Sequence, residues 1–262
     1  MLTFLKLGGS LITNKAQAET PHLDRISNLA EAIKETLSET PELSLVVGHG
    51  SGSFGHVAAK HYQTHLGVKT PDDWQGFGKV SVAAARLNQI MLDKFTNADI
   101  PVFGISPSGS AISENGTITA MELRPLKAAL DGGLVPLVHG DVAIDLKQGG
   151  TIVSTETVFT YLASQLKPDR ILLAGDFDGV YDSNKQVIHL ITSENLPALQ
   201  SVLGGSAETD VTGGMVSKVN SMMDLCKTLP NLEIHLFSGL NNENIKAALR
   251  PERCSFGTYI SA

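Results

Sequence analysis

The sequence predicts an α/β protein, a three-layer αβα sandwich around a central, mainly parallel sheet. Two observations carry this. Short apolar runs alternate with amphipathic stretches of helical period along the chain, and strand–helix alternation buries a parallel sheet between helices. Glycine clusters follow the first two apolar runs, at Gly8 and Gly9 and at Gly48, Gly50, Gly52 and Gly55. Ligands in such sheets bind beyond the carboxyl ends of the strands, where these clusters fall.

Residues 2–7 form the first apolar run and stop at the Gly8–Gly9 pair. Asp24 opens a helix whose Ile26, Leu29, Ala30, Ile33 and Leu37 share one face. Residues 43–47 are a buried strand leading into the second glycine cluster. A helix over 80–95 places Ala83, Leu87, Ile90, Met91 and Phe95 on one side. Strands follow at 101–105 and 135–138, then a helix at 158–166, a strand at 171–174, a helix at 215–225 and a strand at 233–237. The loop-rich stretches 106–125 and 180–210 are expected to carry a hairpin or lid. No repeat and no Pro/Gly/Ser linker interrupts the chain. Residues 1–262 therefore read as one domain, divided near residue 165 into two parts that each supply a site.

Composition narrows the function. Of 262 residues 25 are Gly, 42% are hydrophobic and 18% are charged, which is a globular balance. The net charge of −7 excludes a broad basic face for nucleic acid or an anionic membrane, and leaves room only for a local cationic site. Cys226 and Cys254 lack a CxxC spacing, which argues against a disulfide scaffold or zinc site. The N-terminal residues show no signal-peptide pattern, and no run of about 18 apolar residues marks a membrane span. A cytoplasmic protein is expected. Asn115-Gly116-Thr117 matches a glycosylation sequon and is read as chance.

Four constellations have the chemistry of a phosphate site. In Lys6-Leu7-Gly8-Gly9-Ser10, a lysine at a strand end sits beside a turn that lets backbone approach a ligand, and Lys15 adds a second cation. The plain alternative is a tight turn with two solvated lysines. The segment Gly48-His49-Gly50-Ser51-Gly52-Ser53-Phe54-Gly55-His56 is rich in N–H donors. It is neither a Walker A loop nor a dinucleotide fingerprint in its usual place. His56 is either a phosphate donor or a helix-capping residue. Asp210-Val211-Thr212-Gly213-Gly214 opens a helix that carries Lys218 one turn in, so its N-terminus is an anion site or an ordinary cap. Asp176-Phe177-Asp178-Gly179-Val180-Tyr181 ends a strand with acidic groups that can meet a ribose, a lysine or Mg2+, or simply make a turn.

In chain order, with the Asp176 element before the Asp210 element, the four resemble the amino acid kinase superfamily, and Gly-Ser-Phe-Gly-His resembles its isopentenyl phosphate kinase branch. The resemblance extends to Phe256-Gly257-Thr258-Tyr259-Ile260. Fosfomycin kinases carry a comparable histidine and stay open as an alternative, as does a nucleotide-binding sensor without turnover. The resemblance implies the amino acid kinase fold, with an acceptor-binding lobe over about 1–165 and an ATP-binding lobe over about 166–262. It implies ATP-dependent phosphorylation of isopentenyl phosphate, with Mg2+ as cofactor and a homodimer as the assembly. Lys6, Lys15, His56 and Lys218 are implied as catalytic. Gly50, Gly55, His56 and Thr155 are implied to bind the acceptor. Lys6, Gly8, Gly9, Ser10, Ser51, Asp176, Tyr181, Gly214 and Lys218 are implied to bind the nucleotide. No residue is assigned as a metal ligand.

One segment departs from the family pattern: Ser154-Thr155-Glu156-Thr157 stands where Ser-Gly-Asp-Asp is common. Glu156 offers an acidic group with one more methylene of reach, and Asp141 is a second candidate for orienting the lysines. The sequence does not rank them. The implied chemistry itself is simple. A phosphate monoester with its second pKa near 6 is mostly a dianion at pH 7. It needs charge neutralisation from lysines, a histidine, Mg2+ and backbone amides, not a general base.

Overall fold

A computed structural model describes residues 1–203 and 214–262. In chain order the elements are β1 (Leu2–Leu7), α1 (Gly9–Ile12), α2 (Leu23–Glu39), β2 (Ser44–His49), α3 (Gly52–Tyr62), α4 (Pro71–Asn97), β3 (Val102–Gly104), α5 (Pro107–Ser110), β4 (Ala111–Glu114), β5 (Thr117–Met121) and α6 (Arg124–Asp131). They continue with β6 (Val135–His139), β7 (Asp141–Asp145), β8 (Gly149–Val153), α7 (Thr155–Leu166), β9 (Arg170–Gly175), β10 (Leu190–Thr192), α8 (Leu196–Leu203), α9 (Gly214–Thr228), β11 (Glu233–Ser238), α10 (Asn242–Leu249) and β12 (Thr258–Ser261).

Eight strands form the main sheet in the order β10-β12-β11-β9-β1-β2-β6-β3, with only the β11–β12 pair antiparallel. Side chains alternate between its faces, as period-two strands require. Phe4, Val46, Ile171 and Ile234 join α7 and α9 residues in one core. Leu5, Val47, Leu172 and Phe237 join α1, α2, α4 and α10 residues in the other. These two cores make the three layers. Strand β1 pairs with β2 on one side and β9 on the other, so the chain reverses direction across the sheet at β1. Such a reversal opens a crevice at the carboxyl ends of the strands.

Several boundaries moved. Helix α4 begins at Pro71 rather than residue 80. Thr70 and Asp73 form a reciprocal capping box there, with Pro71 at the first position. Gly76 weakens the helical reading of this stretch, yet it is required. A Cβ at Gly76 would sit 2.7 Å from Tyr62 Cβ, where α3 and α4 cross. The stretch 106–125 does carry a hairpin, β4–β5. Its turn is Asn115-Gly116, with φ of 49° and 79°. Two positive-φ residues between paired strands are a type I′ turn, the usual role of Asn-Gly. The sequon is thus a hairpin signal. A second hairpin, β7–β8, went unpredicted and completes a separate four-stranded sheet in the order β5-β4-β7-β8. Within 180–210 the structure has β10, α8 and an isolated bridge between Tyr181 and Val187. Among the described residues no helix is long and apolar enough to cross a membrane.

Candidate active site

Lys6, Lys218 and Glu156 meet at one atom. Lys6 Nζ lies 2.9 Å and Lys218 Nζ 3.8 Å from the same Glu156 oxygen, Oε1. Each residue arrives from a different element: Lys6 from β1, Glu156 from the first turn of α7, and Lys218 from α9. Burial raises the Glu156 pKa, but the two ammonium groups outweigh it and hold the carboxyl at about 2. Lys218 also stands 5.4 Å over the Phe177 ring. This resolves the ambiguity left by the sequence: Glu156 touches both lysines. Asp141 sits elsewhere, buried, accepting hydrogen bonds from the Ser108 and Val142 amides and 3.5 Å from His139 Nε2.

Lys15 and Ser10 converge on Asp176 at the end of β9. Ser10 Oγ donates to Asp176 Oδ1 at 2.8 Å, and Lys15 Nζ is 3.9 Å from Oδ2. Both side chains of the ion pair are well exposed, so its net stability is small; its weak hold leaves Lys15 available to a ligand. Tyr181 donates its hydroxyl to Asp178 Oδ2 at 2.9 Å. His56 lies inside α3, not at its cap, and is exposed. Gly214 is the first residue of α9, with φ of 68°. Asp210, Thr212 and Gly213 fall outside the described residues.

The glycine loops are tied into the fold. Their amides were expected to face phosphate, but most are spent inside the fold. The Gly8 amide donates to Ala174 O at 2.8 Å, Gly50 to Leu7 O at 3.0 Å, and Gly55 to Ser51 O at 3.1 Å. The glycines exist because the two loops pack backbone on backbone. A Cβ on Gly9 would meet Gly52 Cα at 2.7 Å, and one on Gly50 would meet the Gly9 nitrogen at 2.7 Å. Gly52 has φ of 48° and lies against Thr13, whose Oγ1 accepts from the Ser53 amide and donates to Gly9 O. Thr155 is tied into the fold likewise. Its side chain is buried and its hydroxyl donates to His49 O at 2.6 Å. What Thr155 offers a ligand is its backbone at the start of α7, where helix N–H groups lack intrahelical acceptors.

The sequence model of the amino acid kinase family matches residues 1–238. The chain belongs to the amino acid kinase family. Its relatives within that family include the isopentenyl phosphate kinase of Methanocaldococcus jannaschii, 36% identical over 259 residues that span 96% of each chain. The isopentenyl phosphate kinase of Methanothermobacter thermautotrophicus is 32% identical over 272 residues and 99% of each chain. A solved structure described as isopentenyl phosphate kinase superposes with a TM-score of 0.82 at 26% identity, over all of both chains. This family member is therefore a phosphotransferase of the expected fold.

Proposed function

We propose that this chain transfers the γ-phosphoryl group of ATP to isopentenyl phosphate, yielding isopentenyl diphosphate and ADP. The carrying observation is the lysine pair held on Glu156, with Lys6 at the carboxyl end of β1, in the same chain as α3 with its exposed His56. An acceptor phosphate oxygen attacks the γ-phosphorus, and the bond from that phosphorus to the β,γ-bridging oxygen breaks, leaving its electron pair on ADP. Two anions must approach, so the barrier is one of charge and position. Lys6, Lys218 and Lys15 supply fixed positive charge where it develops. His56 holds the acceptor phosphate as a donor.

For the acceptor's apolar tail, Phe54, Val57, Ala58, Tyr62, Val82 and Ala83 offer the apolar part of a cavity of about 610 Å3 between α3 and α4, which Glu19, His61, Lys79 and Arg86 also line. That is ample for a five-carbon tail. Mg2+ fits as an ion carried in on the triphosphate. Asp176 offers one part-exposed carboxylate, and among the described residues no group of three or more His, Cys, Asp or Glu could hold a metal alone. Mg2+ commonly takes one or two carboxylates together with phosphate oxygens. It would offset negative charge on the triphosphate. The reading extends to a cytoplasmic homodimer whose residues 1–165 bind the acceptor and 166–262 the nucleotide.

A coupled ADP-release assay across isopentenyl phosphate, dimethylallyl phosphate and fosfomycin tests this. Preference for isopentenyl phosphate is the expected result. Turnover of fosfomycin alone, or ATP binding without turnover of any acceptor, overturns it.

A further inference from the structure

His49 is a buried polar residue with partners on four segments, and the chemistry above does not use it. It ends β2 and is fully buried. Its carbonyl accepts from the Gly140 amide at 3.0 Å and from Thr155 Oγ1 at 2.6 Å. Its ring Nδ1 lies 3.1 Å from Gly50 O, and Nε2 lies 3.1 Å from Asn88 Oδ1 on α4. The ring stacks on His139 with centroids 5.4 Å apart and planes 10° from parallel. One residue thus joins the β2–α3 loop, the β6–β7 turn, the start of α7 and the middle of α4.

Three of those segments surround a single gap. A Cβ built on Gly140 would lie 3.5 Å from the Ser51 nitrogen, 3.6 Å from the Thr155 nitrogen and 3.4 Å from Thr155 Oγ1. These are ordinary contact distances, so a methyl group fits there, against two backbone amides. Nothing in the packing of the fold demands glycine there.

We propose that His49 is a positioning residue that locks the Gly50–Ser51 loop, Gly140 and the start of α7 into one rigid cradle for the acceptor's phosphate. The ring does this from beneath. Nδ1–H donates to Gly50 O and fixes the loop, while the Asn88 amide, turned to present its NH2, donates to Nε2. A neutral imidazole satisfies both contacts in this way, with one donor and one acceptor nitrogen. Stacking on His139 sets the plane of the ring. The proposal rests on the acceptor assignment made above.

Isosteres separate the two ring contacts. The Asn side chain places its amide nitrogen at the same bond count from Cβ as Nδ1, and Gln places its own where Nε2 stands. We would measure kcat and the KM values for isopentenyl phosphate and ATP in wild type, His49→Leu, His49→Asn, His49→Gln and Gly140→Ala, with thermal melting of each. His49→Leu and His49→Gln should raise the acceptor KM about tenfold or more while the ATP KM stays within about twofold. His49→Asn should recover most of the loss. Gly140→Ala should melt near wild type and still raise the acceptor KM, because its methyl group takes the gap. If His49→Leu does not fold, the comparison of Asn with Gln decides. Equal effects of Asn and Gln, equal rises in both KM values, or an unchanged acceptor KM in Gly140→Ala overturn the proposal. A wild-type protein inactive on isopentenyl phosphate instead overturns the acceptor assignment, which the variants do not test.

Discussion

Replacing Glu156 with Gln removes a charge and keeps its shape. The two ammonium nitrogens sit 2.9 and 3.8 Å from one oxygen, so they are at most about 6.7 Å apart. With an effective dielectric constant near 20, two positive charges at that distance or closer repel by at least roughly 2.5 kcal/mol. The carboxylate attracts Lys6 by roughly 6 kcal/mol and Lys218 by roughly 4 kcal/mol on the same scale, before desolvation. The attraction exceeds this repulsion, so Glu156 keeps the lysines together; the amide cannot. Both lysines still find the phosphates of ATP, but their placement relaxes, and a displacement near 1 Å costs on the order of 10²-fold in rate. Steady-state kinetics should therefore show kcat down about 10²-fold in Glu156→Gln with the ATP KM changed less than about threefold. Glu156→Asp, which restores the charge on a shorter stem, should recover part of kcat. Wild-type kcat in Glu156→Gln refutes the reasoning, and so does an Asp variant no better than Gln.

Other outcomes follow from the same geometry. His56→Ala should raise the acceptor KM and lower kcat strongly; unchanged kinetics on isopentenyl phosphate removes His56 from the site. Lys15→Ala should lower kcat more than it weakens ATP binding, because Lys15 is exposed and only loosely tied to Asp176; calorimetric ATP affinity alongside turnover separates the two. Gly52→Ala places a methyl group against Thr13 at a φ of 48°, so denaturant unfolding should show a loss of about 2 kcal/mol or more. Acid should destabilise the fold. Burial holds His49, His139 and His235 at a pKa of about 4, below the unfolded value near 6.5. The unfolded chain therefore binds more protons between those values, and stability falls as pH drops through them. Each ring contributes about 2 kcal/mol of loss by pH 5. A guanidinium midpoint unchanged from pH 7 to pH 5 contradicts this.

Much of the fold was legible because the main sheet is parallel and buried on both faces, so strands such as Leu2–Leu7 and Arg170–Gly175 read as apolar runs between amphipathic helices. The β7–β8 hairpin was not legible. Its strand Gly149–Val153 opens with two glycines, and Gly149 has φ of 84°, both signals of a turn. At the site, Lys6 and Lys218 were legible from their places beside glycine pairs, but Glu156 was only half so. Its rank over Asp141 depends on α7 pointing its first turn at β1, which no local spacing encodes. His49 was passed over because it precedes a glycine cluster that drew the reading to itself. Only its partners, Asn88, His139 and Thr155, reveal it, and all three are distant in sequence.

The glycines were read as room for a phosphate, and the structure gives them a different first task. Gly9, Gly50 and Gly52 let two loops touch backbone to backbone; the Gly50 amide is consumed in holding that contact, the Gly8 amide in a bond to β9 and the Gly55 amide in the first turn of α3. The two tasks are linked by rigidity. A loop whose amides all waited for a ligand would be mobile before binding and would have to be ordered at the moment of transfer. Loops already fastened to each other and to α7 through His49 carry that ordering cost in folding. Fixed dipoles aimed at developing charge are what phosphoryl transfer between two anions needs. On the function proposed above, the cradle would require few free amides, only well-placed ones, and a chain of net charge −7 could manage with three lysines because one carboxylate keeps two of them side by side.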